Sequence, residues 1–102
     1  MSSYKIKITE QADIDIVNLH SFIAETCKSP LTAKCYVNGL FAAIKVLSYS
    51  AGSYSISTQK SILRFGYNAR KINYKKMAIV YTIHGDSVLI QRVIPGSLIS
   101  RL

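Results

Sequence analysis

The residue pattern predicts an α+β fold in which an N-terminal strand leads into an antiparallel two-helix hairpin and then a twisted antiparallel sheet of three to four strands. Three observations carry this. Apolar residues recur at spacings of three and four from Ala12 to Leu47, the spacing changes to strand-like alternation after Ile62, and 102 residues suffice for one core and one domain, spanning 1–102.

The opening Tyr4-Lys5-Ile6-Lys7-Ile8 alternates apolar and basic side chains, as a strand with one buried face does. Thr9 can cap the next helix, and Glu10 and Asp13 in its first turn complement the helix dipole. Ala12, Ile16, Leu19, Ile23 and Cys27 then form one stripe, so the first helix is expected from about Glu10 to Cys27. Ser29-Pro30 restarts the chain as a helix, because Pro at the first helical position loses no hydrogen bond. Ala33, Val37, Leu40, Ile44 and Leu47 give that second helix a long apolar face with Tyr36 and Phe41 at its margins. Ser48 to Ser61, rich in Ser, Gly and Tyr, reads as a surface loop whose Tyr49 and Tyr54 pack down or face a partner. Strands are expected at about Ile62–Tyr67, Arg70–Tyr74, Met77–Ile83 and Val88–Ile94, with Gly85-Asp86 closing the last hairpin as a type II′ turn.

Composition narrows the function. At 49% apolar and 18% charged residues the chain can close a core and is not a disordered polyelectrolyte. It has no apolar run of the roughly 18 residues a membrane span needs, and MSSYKIKITE lacks the apolar stretch of a secretory signal, so a cytoplasmic location is expected. Cys27 and Cys35 lack metal-ligand spacing and are expected as buried, reduced small hydrophobes, with neither metal nor cofactor. The net charge of +8 is one-sided. Residues 1–59 carry five lysines against four acids, whereas residues 60–102 carry eight basic residues against Asp86 alone, a net of +7. Such a field speeds encounter with phosphate-rich or acidic partners.

Walker, dinucleotide-binding, HExxH and paired-carboxylate motifs are missing from the sequence, and neither histidine accompanies a nucleophile elbow. What stands out is Arg70-Lys71-Ile72-Asn73-Tyr74-Lys75-Lys76, followed by Met77-Ala78-Ile79-Val80-Tyr81 and Gln91-Arg92-Val93. Strand alternation puts Arg70, Ile72 and Tyr74 on one face, Lys71, Asn73 and Lys75 on the other, Tyr81 with Ile79 and Met77, and Arg92 with Ile90 and Val88. Which of these faces coincide depends on register. A basic sheet interleaved with tyrosine suits RNA, since cations hold phosphates and rings stack on bases. In the bland alternative Tyr74 and Tyr81 are core-edge aromatics, the lysines are solvated, and His84 is an exposed turn residue.

This layout resembles the RelE/ParE superfamily of toxins from type II toxin-antitoxin, or plasmid stabilisation, systems. The resemblance rests on the opening strand, the Pro30-led helix, Arg70 followed by Tyr74, Ile79-Val80-Tyr81, the Gly85 turn and Arg92-Val93-Ile94-Pro95-Gly96. It implies a growth inhibitor neutralised by a cognate antitoxin that wraps the helices and covers the basic sheet. One branch of the family cleaves mRNA on the ribosome, and another inhibits DNA gyrase. For the nuclease, the resemblance makes Arg70 and Arg92 the charge stabilisers and Tyr74 and Lys75 (with Lys76) proton-transfer candidates; Arg64, Lys71, Lys76 and Tyr81 would bind the nucleic acid or target. Where such nucleases commonly carry a His after the last strand and a C-terminal Tyr or His, this chain has Pro95 and Ser97 to Leu102. The gyrase branch, a non-catalytic nucleic-acid-binding module and an inert homologue therefore stay open beside the endoribonuclease.

Overall fold

The computed structural model describes residues 3–101. Strand β1 (Lys5–Ile8) leads into helix α1 (Glu10–Thr26), helix α2 (Pro30–Ser50), a short helix α3 (Lys60–Leu63) and strands β2 (Arg70–Tyr74), β3 (Met77–His84) and β4 (Ser87–Pro95). A 3-10 segment over Gly96–Arg101 follows. Both helix starts form as their residues dictate. Thr9 accepts the Ala12 amide and Ser29 accepts the Thr32 amide, with Pro30 in the first turn. Helix α1 ends in a Schellman turn, in which the Ser29 amide reaches the Ala24 carbonyl and Lys28 takes φ 50°. A left-handed conformation costs a non-glycine residue about 1 kcal/mol, so Lys28→Gly is expected to raise stability by roughly that amount, read as a Tm several degrees higher.

The four strands are ordered β1-β4-β3-β2. β2, β3 and β4 form an antiparallel meander, but β1 lies parallel to β4, Lys5 opposite Ser87 and Ile8 opposite Ile90, so the sheet is mixed where the sequence suggested antiparallel pairing alone. Parallel neighbours need a long crossover, which the two helices and all that follows them supply. Gly85 takes φ 61°, the positive value a type II′ turn requires at its first position.

One face of the sheet packs on the helix hairpin. Met77, Ile79, Tyr81, Val88, Ile90 and Val93 meet Ala12, Ile16, Leu40, Ile44 and Leu47 in the main core. A smaller cluster on the opposite face joins Ala78, Val80 and Ile94 to Ile62, Ala69 and Ile99. That cluster explains the largest local departure from expectation. The run Ile62–Tyr67 is not a strand: Lys60–Leu63 is helical and turns follow it, with Phe65 bonding back to Ile62 and Gly66 to Leu63. An apolar run this short has no diagnostic period, and burying Ile62 against Ile99 decides its conformation. Cys27 and Cys35 are exposed free thiols, not the buried hydrophobes expected, because Cys27 caps α1 beyond its packed stripe and Cys35 lies off the buried face of α2. Among the described residues no helix is long and apolar enough to cross a membrane.

Candidate functional site

The expected site residues fall into three stations on the basic half of the molecule. At the first, Arg70 stands opposite Tyr81 in the β2–β3 register and its Nε donates to the Tyr54 carbonyl at 2.8 Å. This contact ties the edge strand to the loop after α2. Tyr81 itself has no exposed surface, and its hydroxyl donates to the Ala51 carbonyl at 2.8 Å. It is a core residue that pins the end of α2 rather than part of a contact surface. Burial pushes its phenol up to about 12, with Arg70 pulling weakly the other way. A raised folded pKa favours the neutral form, so this contribution to stability is complete below the unfolded value of about 10 and is lost as pH rises through 12. Tyr81→Phe is expected to remove that alkaline loss while costing about 1 kcal/mol at neutral pH for the missing hydrogen bond, both readable from denaturant titrations across the alkaline range.

The second station sits at the β2–β3 turn. The Tyr74 ring meets Tyr36 of α2 edge-on, with centroids 5.3 Å apart, and Lys75 places its Nζ 5.1 Å from the Tyr36 centroid and 5.5 Å from that of Tyr74. Burial and the neighbouring Tyr74 raise the Tyr36 phenol above its ordinary range. The Tyr74 hydroxyl occupies a notch over Gly39, where a β-carbon would come within 2.0 Å of it. Lys75 itself turns the corner at φ 53°. Lys76 beside it is exposed.

At the third station the Arg92 guanidinium clasps the Asp15 carboxylate of α1, Nε at 2.7 Å and Nη2 at 3.2 Å, and the same carboxylate accepts the Val93 amide at 3.0 Å. The Asp15 side chain is 8% exposed and that of Arg92 25%. β1 pairs with β4 only as far as Ile90, so Asp15 caps the stretch of edge that β1 leaves open. Arg92 does not share a face with Ile90 and Val88 as simple alternation suggested. A bulge between Val80 and Tyr81 leaves Gln91 without a partner, sets Arg92 opposite Val80, and turns Val93 toward the helices in step with Ile90.

Lys71 lies opposite Val80 and lines a cleft of about 360 Å³ with Ser55 to Gln59, away from the Arg70 face. Arg64 ends α3, exposed, 5.9 Å from the Phe65 ring. His84 is exposed at the end of β3, where its Nε2 lies 2.8 Å from the Thr82 hydroxyl, which also accepts from Gln91. β2, β3 and their turn thus bring Tyr74 and Lys75 together, with Arg70 at the far end of β2 and Arg92 two strands away, each hydrogen-bonded elsewhere. Sequence reasoning missed Asp15, Tyr36 and Gly39, which hold the three expected residues Arg92, Lys75 and Tyr74. The only signals for them were an acid facing inward on α1 and a glycine inside a helix. Among the described residues, no cluster of three or more His, Cys, Asp or Glu is arranged to hold a metal ion.

No protein-family model matches the chain, and no curated protein matches it. Its fold is shared with a solved chain of the chromosomal ParDE TA (toxin-antitoxin) system from P. aeruginosa, at a TM-score of 0.76 over 91% of this chain and 96% of that one, with 15% sequence identity. The chain thus has the fold of that solved chain, and the opening strand, helix hairpin and following sheet expected from the residues are present.

Proposed function

We propose that this RelE/ParE-like chain is the toxin of a type II toxin-antitoxin pair, growth-inhibitory when free and neutralised by a small cognate antitoxin, and that it acts by gripping DNA gyrase rather than by cutting RNA. The toxin class is supported by one observation above the rest, the fold shared over nearly the whole length with a chain of a ParDE system. An antitoxin segment carrying acidic and apolar residues would match a sheet half of net charge +7.

The arrangement of the cations supports binding over cleavage. Attack of a 2′-hydroxyl on its neighbouring phosphate needs a base, an acid and cations within hydrogen-bond reach of the same few atoms. Here Arg92 is engaged bidentately by Asp15, Arg70 spends its Nε on the Tyr54 carbonyl, and β3 separates the two strands that carry them. The Tyr74 hydroxyl faces the backbone of Gly39. Lys75, Lys76 and Arg64 remain exposed and suit an acidic protein surface.

The test runs the purified protein in two reactions. Inhibition of gyrase supercoiling, with a defined mRNA left intact in reconstituted translation, is the expected result. Ribosome-dependent cleavage abolished by Arg70→Ala would instead establish an endoribonuclease and put Arg70 in its site.

A further inference from the structure

We propose that His84, Thr82 and Gln91 form a pH-sensitive switch on the face of the sheet turned away from the helices. A proton taken up by the exposed His84 ring reverses the direction of their hydrogen-bond chain and turns over the Gln91 amide at the β4 bulge. Thr82 has no exposed surface, and its hydroxyl oxygen lies 3.0 Å from Gln91 Nε2 and 2.8 Å from His84 Nε2. An amide nitrogen only donates, so the Thr82 oxygen accepts from Gln91. The hydroxyl has one proton of its own to place, and no buried side-chain nitrogen or oxygen among the described residues lacks a partner. That proton therefore goes to His84 Nε2, which must be bare, and the neutral ring carries its hydrogen on Nδ1.

Uptake of a second proton puts a hydrogen on Nε2 as well, and two donors then meet the same oxygen. The hydroxyl proton of a buried threonine would be left without an acceptor, which is unfavourable. The chain is satisfied again when the hydroxyl swings toward Gln91 and the amide rotates to present Oε1. His84 Nε2 then donates to Thr82, and Thr82 donates to Gln91, so both bonds survive with their direction reversed. The charged groups around the ring leave this chain to itself. Lys5 of β1 shares the His84 row through Ser87, Lys7 shares the Thr82 row through Leu89, and Asp86 stands in the hairpin turn. Toward α3, a β-carbon on Gly66 would lie 3.3 Å from the Thr82 methyl, and Arg64 is exposed. Arg70 pairs with Tyr81 on the helix side, and Arg92 is held by Asp15. Gln91 is the residue that the bulge leaves without a cross-strand partner. The switch thus carries a change of pH at the hairpin tip to the residue beside the Asp15–Arg92 clasp, and it does not depend on the toxin reading.

Nitrogen NMR of the isotopically labelled full chain tests it, because the ring signals show which nitrogen carries hydrogen. The neutral His84 ring is expected to favour Nδ1–H by roughly tenfold, and the Gln91 side-chain amide signals should move along the titration curve of His84 itself. Thr82→Val removes the link, so the Gln91 signals should then ignore that titration while circular dichroism stays unchanged. Gln91→Glu, at a partly exposed position, serves if Thr82→Val perturbs folding. Its carboxylate can only accept, which fixes the reversed direction, and the neutral His84 ring should then carry its hydrogen on Nε2. A wild-type neutral ring protonated on Nε2, or Gln91 signals that stay still as His84 titrates, overturns the proposal.

Discussion

Asp15→Asn is expected to lower stability by about 2–4 kcal/mol, a fall of about 10–20 °C in Tm for a chain of this size. The carboxylate makes three hydrogen bonds, two to Arg92 and one to the Val93 amide, and its side chain is 8% exposed. The amide of Asn can still accept from Val93 but turns a donor toward the guanidinium, leaving a charge three-quarters removed from water without its counter-charge. Arg92 keeps part of its hydration, so the loss should stay below that of a fully buried pair. Replacing both partners, Asp15→Leu with Arg92→Met, should cost less than Asp15→Asn alone, because no orphaned charge remains. Guanidinium unfolding of the three proteins measures this, and a loss under about 1 kcal/mol for Asp15→Asn would mean that the clasp does not hold β4 to α1. Because the readout is stability, it separates the structural use of Arg92 from any role at a target.

Gly39→Ala should destabilise the protein by about 2 kcal/mol, against the usual trend. Inside an exposed helix the same change gains about 1 kcal/mol. Here the new β-carbon would lie 2.0 Å from the Tyr74 hydroxyl and 2.9 Å from its Cζ, so the ring must leave its notch and with it the contacts to Tyr36 and Lys75. In a Tyr74→Ala background the clash is gone and Gly39→Ala should become stabilising by about 1 kcal/mol. The reversal of sign corresponds to a coupling of about 3 kcal/mol in a double-mutant cycle. A Gly39→Ala effect that is the same in both backgrounds would remove Tyr74 from the notch.

Much of the fold was legible because its signals are local. Thr9 and Ser29-Pro30 announce the helix starts, the stripes from Ala12 to Leu47 announce the helices, and Gly85 announces a turn only a positive φ can make. Alternation likewise placed Arg70, Ile72 and Tyr74 on one face of β2, as the register with Tyr81, Ile79 and Met77 bears out. The run from Ile62 to Tyr67 was misread because four to six residues contain too little period to separate strand from helix. The site was less legible than the fold. Arg92 could be recognised as a cation on the last strand, but its face depended on a bulge that leaves Gln91 unpaired. Tyr81 offered the same letters as a stacking residue, and only burial to 0% exposure with its hydroxyl on Ala51 reveals its structural use.

Periodicity, caps and charge are properties of neighbouring residues, so the residue pattern alone specifies the two long helices, the last three strands with the Gly85-Asp86 turn between two of them, and a charge concentrated after residue 60, but not the short helix α3. Only the tertiary structure decided that β1 joins β4 in parallel, that Asp15 claims Arg92, and that Gly39 seats Tyr74. Each of these is a meeting of residues far apart in the chain, fixed by the packing of whole elements, and side-chain spacing along one strand or helix carries no record of what another element brings opposite it.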